Sequence, residues 1–261
     1  MEKISTVIIT LNEEKNIKDC ILSVKRFSDE ILVIDSFSTD KTINICKEAG
    51  CKIIQHKFEG HVQQKNFGVK KAKYNLVFCI DADERASEEL VKSILSIKNK
   101  RKYNAYTVNR LNYYLTDWIK TGGWYPDKKI RLFDRRFAFW SGENPHDKVI
   151  TKKGVKIGHL KGDILHLTYP DLSSHILQIE KFSSISAKEK FNKTKNYRIK
   201  LLFVPLFSFL KVFLFKGSFI SGLRGYILAM MCAFSDFVKY AKLWELYSKR
   251  EKNCEDLNHK K

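Results

Sequence analysis

Acid is scarce beyond residue 100 of this 261-residue chain, where 14 Asp and Glu face 31 Lys and Arg. Residues 1–100 carry 15 against 17, so the net charge of +19 lies almost wholly in the later part. That imbalance implies two jobs, the second involving an anionic surface or substrate. Long uncharged runs are missing too. The longest, LLFVPLFSFL (201–210) and GYILAMMCAFS (225–235), reach 10 and 11 residues, against the ~20 needed to span a bilayer. None of the six cysteines (Cys20, Cys46, Cys51, Cys79, Cys232, Cys254) belongs to a C-x-x-C or has a His at metal-ligand spacing. The chain therefore reads as reduced and cytoplasmic rather than zinc-bound or disulfide-stapled. There is no internal repeat or low-complexity tract. The N-terminus enters a strand directly, so neither a signal peptide nor a leading anchor is expected.

What is present is an alternation. STVIITLN (5–12), EILVID (30–35), KIIQH (52–56) and YNLVFCID (74–81) are apolar, β-branched runs that read as buried strands. Between them, 13–27, a short stretch stopped by Gly50, and 61–73 read as helices, with Glu13 and Glu14 in the first turn of the first. SEELVKSILSIKNK (87–100) starts a helix capped by Ser87. Strand–helix alternation predicts an α/β fold with a mostly parallel, doubly wound sheet. Functional residues are then expected beyond the carboxyl ends of the strands, where Thr10, Asn12, Asp35 and Asp81 fall. From residue 103 the pattern turns aromatic and strand-like in YNAYTVNRLNYY and KKIRLFDRRFAFW, around the loop TGGWYPD (121–127). These strands would complete the sheet and frame an acceptor site. Residues 172–191 read as an amphipathic helix, and 198–250 as apolar segments studded with Lys and Arg.

The chemistry concentrates in CIDADERAS (79–87). Asp81 and Asp83 form an i, i+2 pair at a strand end, with Glu84 next. Loop acids are common there, but such a pair can also hold a hard divalent cation against a phosphate.

Taken together and in this order, STVIITLNEEKNI, EILVIDSFSTDKT, QQKNFGVKKA and FCIDADE resemble glycosyltransferase family 2. KKIRLFDRR, PHDKV, ILHLTYPDLSSHILQIEKFSSISA and GSFISGLRGYILAM resemble a narrower group within it, the lipopolysaccharide core β-glucosyltransferases that modify inner-core heptose. The resemblance runs from about residue 4 to 245. It implies a GT-A-type catalytic domain over 1–195, with a nucleotide-sugar half (1–100) and an acceptor-side half (101–195). A helical, membrane-associating extension over 196–250 and a frayed tail over 251–261 would follow.

Carried onto this chain, the resemblance implies a UDP-sugar donor, UDP-glucose first, and Mg²⁺ or Mn²⁺. Asp83 would hold the metal, with His166 in ILHLTY beside it; a satisfied core histidine is the competing reading. Asp81 would face the ribose or the metal's water shell, and Glu84 would belong to the nucleotide-sugar site. Asp35 would accept the N3–H of uracil, leaving turn capping to Ser36, Ser38, Thr39 and Asp40. Thr10, Asn12 and Glu13 would touch the uridine, and Lys65 the base or pyrophosphate unless it is an ordinary solvated lysine. Arg131 and the pair Arg135/Arg136 suit phosphate contacts, and Trp124 and Tyr125 could stack on a sugar. An inverting transfer needs a general base. GENPHDKV offers Glu143, His146 and Asp147, and Asp147 stands where relatives usually carry Glu. Asp134 and Asp163 are its reserves.

The acceptor implied is a lipid-linked saccharide, met at the cytoplasmic face of the inner membrane. Short apolar runs broken by Lys211, Lys216 and Arg224 read as interfacial helices on an anionic surface; a buried hairpin is the alternative. Rival functions are the same fold with another donor or a polysaccharide-repeat acceptor, and a non-catalytic lipid- or sugar-nucleotide-binding scaffold. Nucleic-acid binding, which +19 and 13% aromatics invite, has no recognised motif here, and no nucleic-acid partner is expected.

Overall fold

The structure is a computed structural model describing residues 1–142 and 147–258, with side chains to Arg250. The chain forms two compact units. The first comprises Met1–Asn112 and Pro126–Thr168, the second Tyr113–Tyr125 and Tyr169–Lys261. The expected boundary at 195 thus falls inside the second unit.

The first unit opens with β1 (Ile4–Thr10), α1 (Ile17–Val24), β2 (Glu30–Asp35), α2 (Thr42–Glu48), β3 (Lys52–Gln55), α3 (His61–Lys71) and β4 (Leu76–Asp81). It continues through β5 (Glu84–Ala86), α4 (Glu88–Asn99) and β6 (Ala105–Tyr114). After β7 (Asp117–Ile119), which belongs to the second unit, come β8 (Asp127–Asp134), β9 (Ala138–Ser141), β10 (Lys148–Thr151) and β11 (Ile157–Tyr169). The main sheet has the order β3-β2-β1-β4-β8-β6-β11-β5, with β7 beside β6; β9 and β10 pair separately. The first four strands are parallel, β8 is antiparallel to both β4 and β6, and β5 is antiparallel to β11.

Strands β1, β2 and β4 are buried over most of their length because both faces are covered. Ile4, Ile8, Phe78 and Ile80 pack with Ile17 and Ile21 of α1 and Leu90 and Ile94 of α4. The alternate residues Val7, Ile34, Val77 and Cys79 pack with Val69 of α3. Gly68 sets the approach of α3, since a Cβ there would lie 2.5 Å from Val7 Cγ1 and 2.9 Å from Ile34 Cγ1. Ser87 caps α4 by accepting the Leu90 N–H, as its sequence implied.

Two expectations are corrected. Helix α1 starts at Ile17, because residues 13–16 form a turn in which Glu13 Oε2 accepts from Asn16 Nδ2 at 2.8 Å. The Glu13 and Glu14 N–H groups go instead to Thr42 Oγ1 and Asp40 Oδ2. KKIRLFDRRFAFW is two strands, β8 and β9, split by a turn at Asp134, whose buried carboxylate takes Arg136 at 2.7 Å and Arg101 at 3.3 Å.

The second unit holds α5 (Leu172–Lys190), α6 (Tyr197–Leu210), a π-helical turn (Lys211–Phe215), a 3₁₀ turn (Ser218–Ser221) and α7 (Gly222–Asn258). Tyr114, Ile119, Val212, Leu228 and Ala229 form one core cluster; Ala187, Tyr240 and Leu243 form another. Trp124, expected at a sugar, instead packs against Tyr114, Tyr169 and His175. No residue of α6 is buried. Residues 218–250 form, among the described residues, one helical stretch long and apolar enough by length and composition to cross a membrane, with 28% of its apolar window buried. Arg224 and Asp236 interrupt this segment, so its uncharged runs are short although its average remains apolar.

Candidate active site

Parallel register aligns three strand ends: Thr10 pairs with Asp35 and Ile9 with Asp81. A carboxylate cluster gathers there, at the carboxyl edge of β4. The Asp81 N–H donates to Glu84 Oε2 at 3.0 Å, folding the 81–84 turn back on itself. Strand β11 runs alongside, His166 opposite Glu84, with the Leu167 N–H donating to the Asp83 carbonyl at 3.2 Å. This brings His166 Nε2 to 3.2 Å from Asp83 Oδ2. Asn112 Oδ1 lies 2.8 Å from His166 Nδ1, and Thr168 Oγ1 lies 2.8 Å from that nitrogen and 2.9 Å from Asn112 Oδ1. With Nδ1 donating into that pair, Nε2 directs its lone pair at the carboxylate.

Behind the carboxylates stands a layer of cations. Lys65 Nζ lies 3.0 Å from Asp81 Oδ1 and 2.8 Å from Asp147 Oδ2, and 4.4 Å from the centre of the Trp140 ring. Arg131 reaches Glu84 at 2.8 Å and Asp81 at 3.4 Å. Both cations are almost fully buried, at 4% and 3% exposure, so each depends on its acids to offset the cost of desolvation. Burial disfavours the Lys65 ammonium, but Asp81 and Asp147 outweigh it and hold its pKa above the ordinary value. Burial likewise opposes ionisation of Asp81, yet Lys65 and Arg131 hold its carboxyl well below the usual range. Glu13 behaves differently: burial pushes its pKa up, and Asp83 and Asp40 add to the rise.

Several buried polar atoms lack hydrogen-bond partners among the described residues, among them Thr10 Oγ1 and Arg131 Nε and Nη1. A site that leaves donors and acceptors unmatched at one edge is complementary to a polar ligand.

Other expected residues are placed elsewhere or otherwise. Asp35 is fully buried and itself holds the turn, accepting from Ser38 N at 3.0 Å, Ser38 Oγ at 2.5 Å and Gln55 Nε2 at 3.4 Å. Capping therefore falls to Asp35 as well as to Asp40, which accepts from Thr42 N. Asn12, with φ 55°, ties the first turn to the second by accepting the Thr39 N–H. Arg135 closes the end of α3, donating to the carbonyls of Val69 and Ala72, and Arg136 pairs with Asp134. Neither serves the cluster. Asp134 pairs with Leu76, at the start of β4. It lies five residues from Asp81, roughly 17 Å along the strand. Asp163 sits at the start of α4, its N–H on Ser87 Oγ. Of the reserve bases neither is at the site, and Glu143 and His146 lie outside the described residues. Asn112, Thr168 and Trp140 were not anticipated; Trp140 is anchored by its indole N–H to Cys79 Sγ at 3.4 Å.

The mixed α/β sheet, with acids at the carboxyl edge of its parallel strands, is of the GT-A type. The profile of Glycosyl transferase family 2 matches residues 5–157, and the chain belongs to that family. An uncharacterized glycosyltransferase of Rickettsia typhi is 35% identical over 94% of this chain and 88% of its own. The lipopolysaccharide core biosynthesis glycosyltransferase LpsC of Rhizobium meliloti is 29% identical over 98% of both chains. Among solved structures, S. aureus TarS 1–349 in complex with UDP-GlcNAc is 14% identical, covering 95% of this chain and 92% of that one, with a TM-score of 0.47.

Among the described residues no three His, Cys, Asp or Glu are grouped to hold a metal. Mg²⁺ or Mn²⁺ does not need three, because it keeps waters and takes phosphate oxygens. Two ligands on adjacent octahedral positions at ~2.1 Å from such an ion stand about 3 Å apart, and the Asp83–His166 separation of 3.2 Å matches. The residues fit the ion.

Proposed function

We propose that the protein is an inverting hexosyltransferase that moves glucose from UDP-glucose onto a lipid-linked acceptor of lipopolysaccharide or lipooligosaccharide core. The observation that carries this reading is the Asp83–His166 pair, oriented by Asn112 and set beside Asp81 at the edge of the parallel strands. Asp83 and His166 would hold Mg²⁺ or Mn²⁺, which when bound would supply positive charge to offset that of the pyrophosphate leaving group. Asp81 and Glu84 shape the ribose end. Thr10 and Asn12, with the turn fixed by Asp35 and Ser38, form the uridine end, and Glu13 lines it.

Arg131 has two unmatched donor groups for the pyrophosphate, and being buried they are oriented before the donor arrives. Lys65 holds Asp147 by Oδ2 alone, leaving Oδ1 to accept the proton of the acceptor hydroxyl. That geometry supports Asp147 as base, in line with an inverting displacement. The name of the Rhizobium relative supports a core-oligosaccharide acceptor.

The exposed apolar side chains of α6, among them Leu202, Phe203 and Phe207, support docking on the cytoplasmic face of the inner membrane. Lys242 ties α7 to Glu180 and Ser184 of α5, which favours a helix lying against the unit over one crossing the bilayer. The test is a screen of purified protein for metal-dependent hydrolysis of nucleotide sugars. UDP-glucose turnover that disappears with chelator supports the proposal; turnover of a different donor alone would replace UDP-glucose.

A further inference from the structure

The second unit contains a cavity of 330 Å³ whose lining includes Lys211, Lys216, Ser208 and Ser235 as polar groups and Phe182 and Met231 as apolar wall. Nothing in the transfer chemistry uses it. Its two lysines share one side because of a local departure from the α-helix. Residues five apart on an α-helix point about 140° from one another. Here α6 passes into the π-helical turn, closed by the Lys216 N–H to the Lys211 carbonyl at 2.9 Å, and both lysines line the same cavity. Such turns recur at functional sites.

The chain also makes room for one of them. Gly123, at φ +75°, has no side chain where a Cβ would come within 2.7 Å of Lys216 Nζ. Asp236, the one carboxylate of the lining, is engaged by Lys239. Among the described residues neither Lys211 nor Lys216 has an acid partner. Beside the cavity the chain exposes Phe207, Leu214 and Phe215, the last at 81%.

We infer that this cavity binds the phosphate of a membrane lipid. Two unpaired ammonium groups with two hydroxyls suit a phosphate monoester or diester, while the adjoining apolar side chains suit acyl chains at the headgroup boundary. The inference deepens the docking proposed above by locating it, and it is independent of the sugar transferred.

The experiment measures binding of a short-chain, monomeric phosphatidic acid to the full-length protein by calorimetry, with inorganic phosphate as the second ligand. Sedimentation with phosphatidylcholine vesicles, with and without phosphatidic acid, runs in parallel. The lipid should bind, and the protein should sediment more with the anionic vesicles. Lys211→Ala/Lys216→Ala should weaken lipid binding about thirtyfold, roughly fivefold for each lysine at an anionic interface. Ser208→Phe, which fills the cavity and changes no charge, should do likewise, whereas Lys152→Ala/Lys153→Ala in the first unit should leave it within about twofold. Equal loss in the control pair, or an unaffected Ser208→Phe variant, would reduce the effect to net charge and overturn the site. Inorganic phosphate binding as tightly as the lipid would overturn the lipid assignment. Loss of vesicle binding with intact lipid binding would overturn membrane docking and leave the cavity's role standing.

Discussion

His166 Nε2 faces Asp83 Oδ2 at 3.2 Å, and its other ring nitrogen is occupied by Asn112 and Thr168. A lone pair and a carboxylate held at that distance repel unless a proton or a cation lies between them. Asn112→Leu removes the group that fixes the ring, so metal affinity should fall ~10- to 100-fold while the thermal midpoint changes little. Isothermal titration of Mn²⁺ in the presence of UDP checks this; unchanged affinity would leave Asn112 a strand residue without a role in orienting the ring.

Lys65 neutralises two acids at once. Lys65→Met would leave Asp81 and Asp147 facing each other without their shared cation, with Asp147 at 15% side-chain exposure and Asp81 at 26%. Breaking buried ion pairs on one side costs about 3–5 kcal/mol, and partial exposure of the acids places the expected loss nearer 3. Urea denaturation of the variant measures it.

Asp147→Asn tests the base. The amide keeps one oxygen for Lys65 and cannot take a proton, so kcat should fall by about 10²–10⁴ with UDP affinity within about twofold. Single-turnover kinetics with saturating donor separates the two effects.

Acid sensitivity should come from the second unit. His175 is buried against Tyr114 and Tyr169, and burial lowers its pKa from 6.5 to about 4. The unfolded chain therefore binds a proton that the folded one refuses between those values. Stability is full above pH 6.5 and falls as pH drops toward 4, by about 3 kcal/mol over the interval. Chemical denaturation at stepped pH should show that slope, and His175→Phe should flatten it.

Much of this arrangement is written locally in the chain. The apolar runs that end at Thr10, Asp35 and Asp81 have the length and β-branching of doubly covered strands, and their register follows once they are parallel. The DAD pair is visible for the same reason: a run of core residues cannot end in three acids without something to offset them. What local pattern could not carry are pairings across the chain. Asn112 meets His166 from 54 residues away, and both lie in aromatic, polar strands with no clean alternation. Arg135 looked like a phosphate ligand because a guanidinium fits phosphate and helix-end carbonyls equally well. Gly68 carried no sign of its role, which depends on Val7 and Ile34 being in adjacent strands. Gly68→Ala should cost about 1–3 kcal/mol through overpacking, read as a lower urea midpoint.

In the proposed transfer Asp83 and His166 hold a divalent ion that binds the donor's diphosphate. Calorimetric titration of UDP into the protein, with Mn²⁺ or with chelator, tests it most directly when wild type and Asp83→Asn are compared. Metal should tighten UDP binding by ~10-fold or more in wild type and leave Asp83→Asn unmoved. Equal tightening in both proteins, or none in wild type, would contradict the assignment.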